Sequence, residues 1–170
     1  DLPPLSIQDI VSKRGLSAPL RYSYLFESYL KGGVLPFALG EPEPLPLLKN
    51  IVKEVISGDI PGIARIKVDE IDLLEKTLGF IGRSEVDGIN YSSISHNVGI
   101  TKYKAAEYME LLEKAFIVNQ VFPEGTNVLK EPKILMALPY RLLYREMADC
   151  TGPLREDFFA GAMKAAGIPF

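Results

Sequence analysis

Three amphipathic periods follow one another between residues 68 and 116, with a glycine corner before the last and a β-rich run directly after it. In the first period Ile71, Leu74, Leu78 and Ile81 share one helical face. Asp69 is expected as its cap, Glu70, Asp72 and Glu75 place negative charge at the positive end of the helix dipole, and the helix runs to about Arg83. The second period, 92–98, is a short helix capped by hydroxyls, with Ile94 and Val98 turned inward. Gly99 supplies the left-handed residue that reverses the chain, and Ile100 plugs the turn. Thr101 caps a third helix with Ala105, Met109, Leu112 and Phe116 along one side and Lys102, Glu107, Glu110, Glu113 and Lys114 along the other. This is a helix-turn-helix pattern. Residues 117–122 then read as a strand, 123–127 as a turn and 128–130 as the return strand, which together make a wing; 133–137 reads as a further short strand.

The flanking segments are helical. Tyr22, Leu25, Phe26, Tyr29 and Leu30 recur at helical spacing and stop at Gly32-Gly33. Pro36, Pro42, Pro44 and Pro46 make 35–46 a linker. Leu47, Leu48, Ile51, Val52, Val55 and Ile56 form the next helical stripe, ended by Gly58-Asp59-Ile60-Pro61. Pro139 is expected to open a helix carrying Leu142, Leu143 and Met147, and a last helix, 154–166, to present Phe158, Ala162 and Ala165 on one face. The fold class is therefore mainly α with a small β wing: a helical lid-like segment (1–67), a winged helix-turn-helix (68–137) and a helical start of a further domain (138–170).

Composition narrows the function. A hydrophobic content of 47% suits a packed core, and no apolar run approaches the ~20 residues that cross a bilayer. With no membrane segment and a single cysteine, Cys150, a cytoplasmic setting is expected. The net charge of −3 is uneven. Only residues 92–146, with seven basic and six acidic side chains, lean positive. Binding to nucleic acid therefore depends on where individual lysines stand.

On a helix-turn-helix, the start of the third helix faces base edges, which nominates Thr101, Lys102, Tyr103, Lys104 and Tyr108. Lys130 and Lys133 beside the wing are candidates for phosphate, and Ser92 and Ser93 for hydroxyl and backbone donation. Against this, Glu107, Glu110 and Glu113 repel phosphate, and the same residue types serve a winged helix that packs only on protein. His96 lacks neighbours at ligand spacing and reads as a surface residue. Cys150 lacks a histidine base and reads as a filler. Glu156 and Asp157 read as charges opening the last helix. Neither G-x-x-x-x-G-K-[ST] nor G-x-G-x-x-G occurs, and Gly32-Gly33 follows a helix, so no nucleotide cradle, metal site or catalytic set is assigned to this segment.

The order of these features resembles the end of a group of prokaryotic AAA+ ATPases. Pro4-Leu5-Ser6-Ile7-Gln8-Asp9 is similar to the segment leaving their last core strand, and Tyr29-Leu30-Lys31-Gly32-Gly33 to their lid motif. The helix from Ile51 to the Asp59-Ile60-Pro61 turn continues the likeness. Asn90-Tyr91 through Gly99-Ile100-Thr101 and Tyr108 through Phe116 resemble their C-terminal winged helix, and Pro132-Lys133-Ile134 and Gly152-Pro153-Leu154-Arg155-Glu156 resemble the segments beyond it. The resemblance implies an ATPase core before Asp1, with ATP and magnesium bound there, and a restriction-endonuclease-like domain beginning near Phe170. Relatives commonly carry an arginine where this chain has Gly58, so no arginine role in nucleotide sensing transfers to that position. From the helix-turn-helix spacing and its lysines, the first expectation is that the winged helix contacts double-stranded DNA through Lys102, Tyr103 and Lys104; the alternative is that it docks on the upstream ATPase core, a second copy or another protein without touching DNA.

Overall fold

The computed structural model describes residues 12, 26–33, 35, 44–64, 66–85, 87–123 and 131–168. It is mainly helical with one two-stranded antiparallel sheet. After a wide turn at Tyr29–Gly33 the elements run α1 (Pro44–Glu54), a π turn (Val55–Asp59), α2 (Ile60–Ala64), α3 (Val68–Arg83), α4 (Tyr91–Val98), α5 (Lys102–Lys114), β1 (Val118–Val121), β2 (Lys133–Met136) and α6 (Thr151–Ala165).

The expected linker and helix end around α1 are both displaced. Pro44 and Pro46 lie in the first turn of α1, where a missing N–H costs nothing because the first helical N–H groups have no partner in any case. At the other end the chain does not stop at Gly58-Asp59-Ile60-Pro61 but continues helically to Ala64. The buried residues Leu48, Val52, Ile56 and Ile60 recur every four positions, a spacing that drifts round an α-helix of 3.6 residues per turn. The wider π turn absorbs the drift, with Ile60 N–H donating to Val55 C=O, and also gives Pro61 a place where the regular ladder is already interrupted.

α3 starts one residue before the expected Asp69 cap. The Glu70 carboxylate reaches back to Lys67 N–H at 3.0 Å, which fixes the start at Val68 and leaves Asp69 inside the first turn. Its inward face carries Leu74, Leu78 and Ile81, all fully buried. α4 is capped by Asn90 and not by a hydroxyl at 92: Asn90 Oδ1 accepts Ser93 N–H and Ser93 Oγ accepts Asn90 N–H, both at 2.9 Å. Gly99 ends α4 at φ 78° and ψ 33°, the left-handed conformation expected of it. Thr101 Oγ1 accepts Lys104 N–H at 3.1 Å and caps α5. Ala105, Met109 and Leu112 are buried as expected, but α5 ends at Lys114; Phe116, at φ 59°, lies beyond it and is 44% exposed.

The expected return strand 128–130, with Lys130, and residues 124–127 of the turn lie outside the described residues; among those described, β1 has one partner strand. Its partner is β2, in register Val118↔Met136 through Val121↔Lys133. Three outward N–H groups are occupied as well. Ile134 N–H donates to Ile89 C=O at 2.9 Å, Met136 N–H to Asp157 Oδ1 at 3.0 Å, and Gln120 N–H to Glu113 Oε1 at 3.2 Å.

Two expectations past the sheet are corrected. Instead of a helix after Pro139 there are two 3-10 turns, Tyr140–Leu143 and Met147–Asp149. Arg141 and Tyr144, three residues apart, both meet α3: Arg141 Nη1 donates to Ile81 C=O at 3.2 Å, and Tyr144 lies over Gly82. In the tighter 3-10 geometry positions i and i+3 eclipse, so both side chains reach the same helix. The last helix begins at Thr151, three residues earlier than expected. Of the expected face, Phe158 packs on the core but Ala162 and Ala165 face outward, while Leu154, Asp157 and Ala160 face inward. Asp157 does not cap the helix. It is buried and paired in a fork with Arg141 (Nε to Oδ2 2.6 Å, Nη2 to Oδ1 3.0 Å), and Arg141 also donates to Ser84 C=O at 3.2 Å. One apolar cluster runs through the described residues from Leu30 to Leu154 and draws on α1, α3, α4, α5 and both strands.

Candidate functional site

The residues expected to meet nucleic acid gather at the corner between α4 and α5 and beside the sheet, and each described lysine among them already holds a carboxylate. Lys102 pairs with Glu131, which stands just before β2. The same Glu131 carboxylate accepts Ser92 N–H and Ser92 Oγ–H, both at 2.7 Å, so the nominated serine donors at 92 are engaged. Ser93 is engaged too, by the Asn90 cap. Although partial burial alone raises a carboxyl, Lys102 and Ser92 hold Glu131 below its ordinary value of 4.5.

Lys104 turns back toward α3, pairing with Glu70 and, at 2.9 Å, with Glu107. Burial alone lowers an ammonium, yet Glu70 and Glu107 hold Lys104 above its usual range. The Lys104 hydrogen bond, followed by that from Lys67 N–H, correspondingly holds Glu70 low. Tyr108 is fully buried beneath this pair, with its hydroxyl 3.4 Å from Glu70 Oε1 and its ring centroid 5.2 Å from Lys104 Nζ. Burial, then the charge of Glu70, pushes its phenol up to about 12. Tyr108 is therefore a core residue and offers nothing to a base edge. Tyr103, by contrast, is 81% exposed.

Lys133 bridges Asp87 Oδ1 at 3.1 Å and Glu156 Oε2 at 2.7 Å. Burial alone lowers it, but the two carboxylates carry it above the ordinary lysine range. Glu70, Glu107 and Glu131 thus hold the two lysines at the start of α5, and Asp87 and Glu156 hold the third, on β2. Sequence reasoning did not single out Glu131, Asp87 or the Lys104 partnership of Glu70. These contacts join residues far apart in the chain, for which local spacing carries no signal.

Other candidates resolve into structural parts. His96 is exposed on α4. Cys150 is fully buried, donates to Glu146 C=O at 3.2 Å, and burial pushes its thiol up, which keeps it protonated at neutral pH. Among the described residues no group of three or more His, Cys, Asp or Glu side chains converges on a metal position, and Gly32-Gly33 closes a helical turn without opening a helix. Among the described residues, too, no helix is long and apolar enough to cross a membrane.

This mainly helical unit, in which α3 and α4 lead through a left-handed corner into α5 and a two-stranded sheet, belongs to the family described as a domain of unknown function, DUF8612, which matches residues 24–137. The chain is similar to the uncharacterized protein MJ1637 of Methanocaldococcus jannaschii, with 26% identity over 155 residues, covering 82% of this chain and 33% of that protein. It therefore spans about a third of the length of the curated relative it matches. No solved structure matches it.

Proposed function

We propose that residues 68–137 are a winged helix-turn-helix, carried with a lid-like segment at the end of an AAA+ ATPase, and that this module docks onto protein and does not read DNA. The partner is the ATPase core, a neighbouring subunit or another protein. The ATPase assignment is supported by the order of the lid-like and winged-helix-like motifs; ATP and magnesium belong to the core of the whole protein. The docking assignment rests on the charge of the α5 face, where Lys102 and Lys104 are outnumbered by Glu70, Glu107 and Glu131, which hold them. Phosphate approaching that face meets net negative charge, and each lysine must break an existing pair to reach it.

One observation favours DNA contact instead. Tyr103 projects into solvent between Lys102 and Lys104 at the start of the helix that enters the major groove in helix-turn-helix proteins. Anisotropy titration with a labelled mixed duplex at low salt separates the two readings. No saturable binding is expected. Binding that falls with salt and weakens in the Lys102→Ala/Lys104→Ala variant overturns the docking reading in favour of DNA. A Walker motif is expected in the coding sequence upstream of Asp1, and its lack there removes the ATPase assignment.

A further inference from the structure

Lys76, Phe80 and Arg83 follow one another at spacings of four and three on α3, so they share a face. With Ser84, Asn97 and Val98 they line an open cleft of about 380 Å³ between α3 and α4. Both cations are exposed. Unlike the lysines of the α5 face, neither forms an ion pair with a carboxylate among the described residues.

A methyl group on buried Gly79 would stand 2.5 Å from Arg83 Nη2, so the guanidinium lies folded along the helix over that glycine. The floor is apolar, since Phe80 and Val98 are half-buried and pack on the core. Two cations astride an apolar floor complement a ligand of the opposite pattern. A duplex presents a continuous line of phosphates and calls for a longer basic stripe. Here Glu75 and Glu85 flank the two cations in sequence, and Glu85 is tied to Arg145 at 2.7 Å.

Resting on the docking reading above, we propose that this cleft receives an acidic segment of the protein partner, two carboxylates with an apolar side chain between them. The probe is a short peptide with two glutamates flanking a leucine, its glutamine counterpart, and a mixed duplex, each titrated into the chain by amide NMR. The glutamate peptide is expected to shift Phe80, Arg83 and Asn97 saturably and the glutamine peptide to leave them in place. The Lys76→Gln/Arg83→Gln variant is expected to bind about tenfold more weakly, the effect of losing two exposed charge pairs. Gly79→Ala, which keeps every charge but displaces the guanidinium, is expected to weaken binding as well. Absence of shifts, or shifts that persist in the double variant, overturn the cleft proposal alone; the docking reading still stands or falls on the duplex titration of the Lys102→Ala/Lys104→Ala variant. Duplex-induced shifts at the same amides that vanish in Lys76→Gln/Arg83→Gln overturn both, by making the cleft a phosphate site.

Discussion

Gly99 and Asp157 mark the two ends of what single residues disclosed in advance. Gly99 could be read from position alone, because a glycine between two amphipathic periods has one evident use, and it adopts φ 78°. Gly99→Ala is expected to lower stability by about 1–2 kcal/mol, the cost of a left-handed conformation for a residue with a Cβ, read from urea midpoints. An unchanged midpoint would show that the corner tolerates side chains. Asp157 was misread because a carboxylate near a helix start has a cheap local explanation, whereas its partner Arg141 is not adjacent in sequence and folds inward through a 3-10 turn. Asp157→Asn leaves the buried Arg141 guanidinium without its counter-charge, and about 3–5 kcal/mol of stability should go with it. A loss under 1 kcal/mol, on the scale of an exposed pair, would mean water reaches the pair.

Among the elements, α3, α4, α5 and the strand of β1 were legible because their periodicity is strong and their inward residues are aliphatic. The π turn and the 3-10 turns were not. Both answer to packing: one keeps Ile56 and Ile60 on the face begun by Leu48, the other brings Arg141 and Tyr144 onto α3 together. The electrostatic ties between elements were equally invisible. Glu70 binds α3 to α5 through Lys104, and Glu131 binds the approach to β2 to α4 and α5 through Ser92 and Lys102. Both carboxyls lie below their ordinary value of 4.5 in the folded chain. A depressed folded value means stability that is present above pH 4.5 and is lost as pH falls through the folded value. Burial raises the Asp157 carboxyl, the opposite direction, so the pH profile of the unaltered chain mixes the two. The clean measurement is therefore a difference: thermal midpoints of the chain and of Glu70→Gln/Glu131→Gln are expected to be furthest apart above pH 5 and to converge as pH drops below 4.5. A gap that is constant with pH would mean that the two carboxylates contribute through shape and not through charge.

For the whole molecule, the sequence divided the chain at 67 and 137, and the described residues share one apolar cluster across both positions. Far-ultraviolet dichroism and tyrosine fluorescence, which suits a chain of eight tyrosines and no tryptophan, are accordingly expected to report one coincident unfolding transition. Two separated transitions would mean that the lid-like segment or α6 melts on its own. Ending the chain at 137, where the family match stops, removes Arg141 and Asp157 together with the cover they give α3 and Met136. That shorter chain is expected to lose its sharp transition.

The small sheet has a bearing on solubility in the everyday laboratory sense. Ribbons of two strands are ready templates for an incoming strand of another chain, and proteins guard against this by occupying the exposed rims. Here the rims are closed from within: a main-chain oxygen and a carboxylate take the outward donors of one strand, and a second carboxylate takes one from the other. Replacing Glu113 and Asp157 by neutral side chains thus opens a route to fibrous assembly as well as loosening the fold.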